Sequence, residues 1–262
     1  MRAMDDTSSR PAAAKSTVTD IIKGGKPVAG AAVGILMLEA QFPRIPGDTG
    51  NATTWPFPVH YRVVPGASPD RVVRRRADGL LDDFITAARE LVAMGADGLT
   101  TTCGFLSLYQ ADLAAATGVP VAASSLMQWP TIQALLPPGQ RPGIVTISAA
   151  TLTDAHLLAA GVPTDAAVVG TDEDGREFSS AILDDRLEMD IDQARADVVG
   201  AATRLIATHA DVGAILLECT NMAPHADAVQ RATGLPVFDM YGFVCWFQQA
   251  LRPRVFPAPD AR

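Results

Sequence analysis

A duplicated α/β protein, with two pseudosymmetric lobes each built on a parallel sheet, is the fold class this sequence predicts. Three observations predict it. Short, almost wholly apolar runs alternate with stretches of helical periodicity along most of the chain. The order of those segments is used twice. Each copy also carries a cysteine at the same place, between an apolar strand-like run and a helix-like one. Gly118 follows Cys103 by fifteen residues, in Ala116-Thr117-Gly118-Val119-Pro120-Val121. Gly234 follows Cys219 by fifteen, in Ala232-Thr233-Gly234-Leu235-Pro236-Val237.

The elements follow in order. Residues 1–26 mix Ser, Thr, Ala, Asp and Lys without periodicity and read as a tail. A first strand is expected at 32–38 (AVGILML), of the apolar kind buried inside a parallel sheet. A long Pro- and Gly-rich loop, 41–58, follows it at the strand end where open α/β sheets bind ligands. A second strand is expected at 59–64. One continuous helix is expected over 70–94, started by Ser68-Pro69 and closed by Gly95. The spacing then predicts strands at 98–102 and 119–123, with helices at 106–116 and 126–136. Pro137-Pro138-Gly139 breaks the chain before the second copy. That copy has strands at 143–148, 166–169, 213–217 and 237–240, and helices from Thr153, over 191–209, 226–232 and 244–251. Residues 171–177 read as a loop. The division that results is a flexible tail (1–26), a first lobe (27–125 with 241–262), and a second lobe (126–240).

Composition narrows the chemistry. A hydrophobic fraction of 48% in 262 residues gives ample core, and a formal charge of −8 argues against nucleic acid as a partner. The lysines, Lys15, Lys23 and Lys26, all precede the first strand, so no lysine is available for a Schiff-base cofactor. Three cysteines without a CxxC pair, and four scattered histidines, suggest neither a disulfide framework nor a metal site. The apolar run 28–38 is too short to span a bilayer and no signal pattern opens the chain, so no membrane partner and a cytoplasmic location are expected. Arg74-Arg75-Arg76 reads as a solvated face or a subunit contact, which leaves a homo-oligomer open.

Cys103 and Cys219 are the candidate catalytic pair. A thiol at the carboxyl end of a strand, where a helix begins, meets unpaired N–H groups, and these can lower its pKa. The pseudo-two-fold should set the two thiols face to face across the cleft. One then removes a proton from a carbon next to a carbonyl, and the other returns one from the far side. Most strand cysteines only fill core, and Cys245, between Val244 and Trp246, reads that way. Core filling does not account for matched thiols at two strand-to-helix turns. Asn51 on the long loop is a candidate substrate contact, as are Ser124 and Ser125 at a strand end and Thr146 and Ser148 in the corresponding place of the second copy. Glu39 reads as a solvated strand end and His225 as a helix-face histidine.

Three segments carry a family resemblance: the first strand with Pro46-Gly47-Asp48-Thr49-Gly50-Asn51, Thr101-Thr102-Cys103-Gly104, and Glu218-Cys219-Thr220-Asn221. Over about residues 32–250 the chain resembles the aspartate/glutamate/hydantoin racemase superfamily, the cofactor-independent two-cysteine group. The resemblance implies two flavodoxin-like lobes with an active site between them. It implies Cys103 and Cys219 as the acid/base pair, no cofactor, and substrate binding by Thr102, Gly104, Thr220 and Asn221. The expected function is racemisation or epimerisation of an amino acid, hydantoin or related carboxylate. A hydantoin racemase, a maleate-type cis–trans isomerase and a non-catalytic two-lobed binding protein are the alternatives. The chain has Glu39-Ala40 where glutamate racemases have Asp-Ser-Gly, and Asn221 where they have His. Phe105, at a position often polar, implies a less polar or larger substrate. The presence of both thiols points away from the decarboxylase branch.

Overall fold

The structure, a computed structural model, describes residues 24–175 and 177–256. The expected tail falls almost wholly on residues 1–23, outside those described. Eight strands form two four-stranded sheets. β1 (Val33–Leu38), β2 (Val59–Val64), β3 (Gly98–Thr101) and β4 (Val121–Ala122) pair in the order β2-β1-β3-β4. β5 (Arg141–Thr146), β6 (Ala167–Gly170), β7 (Val212–Leu217) and β8 (Val237–Phe238) pair as β6-β5-β7-β8. All pairings are parallel, and the two orders match element for element. Each sheet reverses its strand order between its first and third strands, where α/β sheets leave a crevice for ligands. Cys103 follows β3 and Cys219 follows β7, so each thiol stands at its sheet's switch point.

The helices are α1 (Pro69–Val73), α2 (Leu81–Met94), α3 (Gln110–Thr117), α4 (Trp129–Leu135), α5 (Asp154–Ala159), α6 (Glu177–Leu183), α7 (Ile191–Thr208), α8 (Ala226–Thr233) and α9 (Met240–Leu251). The single helix expected over 70–94 is two. Ser68 caps the first, its Oγ accepting from the Arg71 N–H, and Gly95 closes the second. Between them Arg76 and Ala77 adopt positive φ (52° and 55°), which ends α1 and turns the chain. The helices expected from 106 and 126 begin instead as tight 3-10 turns, Gly104–Tyr109 and Ser125–Gln128, because the chain must leave each strand end sharply. α6 was not expected: its polar approach, 171–176, masks a short run whose Phe178, Ala181, Ile182 and Leu183 are buried.

One apolar cluster runs through both lobes and includes both Cys103 and Cys219. A second lies on the other face of the first sheet, where Phe243, Val244 and Phe247 of α9 cover Val33 and Ile35. Glycines let the helices close on the first strand of each lobe. A Cβ on Gly34 of β1 would lie 2.8 Å from Leu99 Cδ2, and one on Gly143 of β5 would lie 2.7 Å from Leu205 Cδ2. Gly143→Ala should therefore cost about 1–3 kcal/mol by overpacking. Gly200→Ala in α7, where a Cβ meets nothing within 4 Å, should be neutral or stabilising by up to about 1 kcal/mol. Urea unfolding of the two variants measures both.

Candidate active site

The strand ends converge on a cavity of ≈ 20 Å³ between the lobes, room for about one water. The first lobe supplies Leu38, Phe42, Pro69, Val73, Thr102, Cys103, Gly104 and Phe105 to its wall, and the second supplies Ile147, Ile182, Glu218, Cys219 and Asn221. Both thiols are buried and free, and both face this one space. In each turn the backbone N–H two residues on, that of Phe105 or Asn221, points at the sulfur and favours the thiolate.

Those N–H groups do not win. Burial, and then the charge of Glu218, push both thiols well above their ordinary range. The expectation of thiols acidified by a helix start is thereby corrected. The residues after Cys103 form a 3-10 turn, and the sulfurs are too deeply buried for one backbone donor to offset desolvation. At rest both are thiols.

Glu218 is the group that sequence reasoning missed. It ends the fully buried strand run before Cys219 and is 0% exposed. Its Oε2 accepts from Thr146 Oγ1 (2.8 Å), while Oε1 has no partner. Burial raises its pKa to about 7. Oε1 lies against the other lobe: a Cβ on Gly104 would come 2.0 Å from it and 2.6 Å from the Glu218 carbonyl oxygen. Gly104 is glycine because this carboxylate needs the space. A carboxylate after six apolar residues, beside a cysteine, was the available signal.

A second network holds Cys219. Its S–H donates to Asn221 Oδ1 (3.4 Å), Asn221 Nδ2 donates to Asp48 Oδ2, and Arg44 Nη1 donates to Asp48 Oδ1 (2.9 Å). Asp48 and Arg44 belong to the long loop, and neither was singled out from sequence. Arg44 also lies over the Phe42 ring, 4.3 Å from its centroid, with Nη2 unpartnered. Phe105 is fixed from behind by an edge contact with His156, which burial holds neutral with its pKa lowered to about 4.

Of the other expected contacts, Thr102, Gly104, Phe105 and Asn221 line the cavity. Six do not, and five of them are engaged elsewhere. Thr220 Oγ1 donates to the Thr102 carbonyl (2.7 Å), a bond between lobes. Ser125 Oγ donates to the Leu217 carbonyl (2.7 Å), and Ser124 Oγ caps the turn after β4 by accepting from the Leu126 N–H. The Thr146 hydroxyl holds Glu218. Ser148 borders a separate hollow beside Arg74, Asp172 and Asp184. Asn51 folds its amide into its own loop, donating to the Arg44 carbonyl (2.8 Å) and accepting from the Thr53 N–H (2.9 Å). Short polar side chains at strand ends here serve the backbone first. Glu39 is exposed and accepts from the Gly66 N–H, and His225 is buried against Phe178. Cys245 is only partly buried, packed with the α9 cluster.

The cavity is covered. Asp185 Oδ1 accepts from the N–H groups of Gln41 (2.6 Å) and Phe42 (3.0 Å), and Arg74 pairs with Asp184 at 2.9 Å. α6 is thus tied to the loop and to α1 over the thiols. Among the described residues no group of three His, Cys, Asp or Glu is placed to hold a metal, and no helix is long and apolar enough to cross a membrane.

No family model matches the chain. A dimethylsulfoniopropionate lyase of Durusdinium sp. clade D is 30% identical over 217 residues, covering 80% of this chain and 71% of that protein. Dimethylsulfoniopropionate lyases 7 and 6 of Emiliania huxleyi (strain CCMP1516) are 31% and 32% identical over 226 residues. The chain spans 63% and 56% of their lengths, less than two thirds. Among solved structures, a glycine-to-cysteine variant of arylmalonate decarboxylase with associated sulfate gives a TM-score of 0.58 at 20% identity, over 87% of this chain and 96% of that one. Allantoin racemase from Klebsiella pneumoniae gives 0.53 at 20% (88% and 97%), and Picrophilus torridus aspartate racemase 0.53 at 13% (87% and 96%). The two-lobed fold expected from the sequence is the one these arylmalonate decarboxylase, allantoin racemase and aspartate racemase structures share. At these identities the structures speak for the fold alone.

Glu218 sets a pH signature on stability. Its folded pKa, about 7, lies above the ordinary carboxylate value of 4.5, so the folded state holds more protons between those limits. That contribution is fully present below pH 4.5 and is lost as pH rises through 7. Relative to the wild type, Glu218→Gln should gain about 3 kcal/mol between pH 4.5 and 8. Urea titrations of both proteins across that range check the slope.

Proposed function

We propose that this chain, which belongs to the dimethylsulfoniopropionate lyase family, is a carbon–sulfur lyase that uses a cavity thiol to start a β-elimination. The observation that carries the reading is two buried thiols at matching turns on one cavity. One cavity thiol first gives up its proton to solvent, and the thiolate then takes the proton from the carbon next to the substrate's carboxylate, so Cα–H breaks and S–H re-forms. The electron pair becomes the Cα=Cβ bond, and the Cβ–S bond breaks with its pair going to sulfur. Dimethylsulfoniopropionate thus yields dimethyl sulfide, propenoate and the one proton given up at the start, and the resting thiol is restored.

The first step is the one a racemase makes. With a neutral thioether as leaving group, the intermediate collapses forward before the opposite thiol returns a proton. Cys103 and Cys219 are the acid/base pair of this reading, and one of them serves as base. Asn221 and the loop carboxylate Asp48 orient Cys219, and Arg44, with its unpartnered Nη2 behind Phe42, is the cation for the substrate's carboxylate. The cover formed by Phe42, α1 and α6 must lift to admit a molecule larger than water, and its closure excludes water during the reaction.

The test is release of dimethyl sulfide from dimethylsulfoniopropionate by the full chain. Cys103→Ala or Cys219→Ala, whichever removes the base, should lower kcat/KM by about 10²–10⁴-fold. Wild-type rates in both variants would remove the mechanism. The symmetry of the two thiols favours a second reading, racemisation of an amino acid or related carboxylate. In deuterated water a racemase returns recovered substrate labelled at the α-carbon and of both hands, whereas the lyase returns labelled substrate rarely and forms thioether.

A further inference from the structure

We propose that Glu218 is the counter-ion for the cationic end of the substrate, so that the cavity selects a β-onium carboxylate over a carboxylate of the same shape that lacks the onium charge. The proposal rests on the lyase reading and names the residue that would give it specificity. A buried carboxylate is ordinarily paired, because the cost of dehydrating it is otherwise unrepaid. Glu218 is not. One oxygen has Thr146, the other has no partner, and the side chain forms part of the cavity wall beside Gly104.

The titratable and charged groups around it leave that charge unmatched. They are the two thiols, with Asp48 and Arg44 beyond Asn221 and Phe42, and His156 behind Phe105; the guanidinium is paired to Asp48. A sulfonium or quaternary ammonium centre supplies positive charge without N–H donors, so it needs an anion and apolar or aromatic walls rather than hydrogen-bond acceptors. Phe42, Phe105, Leu38, Val73, Ile147 and Ile182 provide those walls. An α-carbon held between the sulfurs places the substituent on its β-carbon within reach of the carboxylate at the same wall. The raised pKa of Glu218 is what a buried carboxylate without a counter-ion shows.

The pairing acts mainly in the ground state. The onium charge vanishes as the C–S bond breaks, so the carboxylate contributes binding and selectivity more than rate. Glu218→Gln should raise KM for dimethylsulfoniopropionate by about 30-fold or more, with a much smaller change in kcat. A fall in kcat at unchanged KM would make Glu218 a proton-transfer group and overturn the proposal.

Calorimetry with unreactive probes separates this from the lyase reading. The wild type should bind 3-(trimethylammonio)propionate at least about 30-fold more tightly than 4,4-dimethylpentanoate, the isosteric carboxylate without the onium charge, and Glu218→Gln should bind the two about equally. A preference that survives in the variant, or is absent from the wild type, overturns the proposal. A wild type that prefers the onium but releases no dimethyl sulfide keeps the cation site and removes the lyase. Should the variant not fold, the wild type still decides. Near pH 7, heats measured in buffers of differing ionisation enthalpy should show proton release on binding the onium and none on binding the isostere. No release at any pH from 6 to 8 overturns it.

Discussion

The Glu218 carboxylate rests against the α-carbon of Gly104, and that contact joins the two halves of the molecule at the point where both thiols stand. The geometry leaves no room for a β-carbon on Gly104. It also places an anion deep in the wall, held by a single hydroxyl. Such a group is expensive to bury, and it raises the pKa of each neighbouring thiol. A fold selected for stability alone would have an apolar residue there, so the contact points to the chemistry of the cavity.

Around this contact the lobes are sewn together by backbone acceptors. Thr220 reaches the Thr102 carbonyl, Ser125 reaches the carbonyls of Leu217 and Glu218, and Thr49 reaches the Thr220 carbonyl. Each bond lies within a few residues of a cysteine. The strand ends are thereby held in one arrangement, as the proposed acid–base role of the thiols requires. Polar side chains that look available for a substrate in one dimension are occupied in three.

The cavity walls differ in mobility of design. The thiol turns are fixed by the sheets and by those bonds. The cover is instead a short helix, an interrupted segment with positive φ at Arg76 and Ala77, and a loop tied down by Asp185. The Arg74–Asp184 pair is surface-exposed, of the kind worth about 0–1 kcal/mol, so the cover is held mainly by Phe42, Val73, Phe178 and Ile182 packed into the core.

What the sequence by itself determined was the repeated α/β order, the parallel sheets and the position of both thiols, including the shared cavity they line. Those features depend on periodicity and on matched spacing, which are properties of the chain in one dimension. The break at 74–80, the 3-10 turns after the strands and helix α6 were not legible, since tertiary packing overrode local pattern at each. The site was legible only in part. Cys103, Cys219, Thr102, Gly104, Phe105 and Asn221 could be read from their turns, whereas the partners that set their protonation could not. Glu218, Asp48 and Arg44 act through who buries them and who is left unpaired, Ser125 and Thr220 through the carbonyls they reach across the seam, Thr146 through the carboxylate it holds and Ser124 through the turn it caps. Desolvation and pairing are decided by neighbours distant in sequence, so only the folded chain could show that the thiols rest protonated beside a buried, half-satisfied carboxylate.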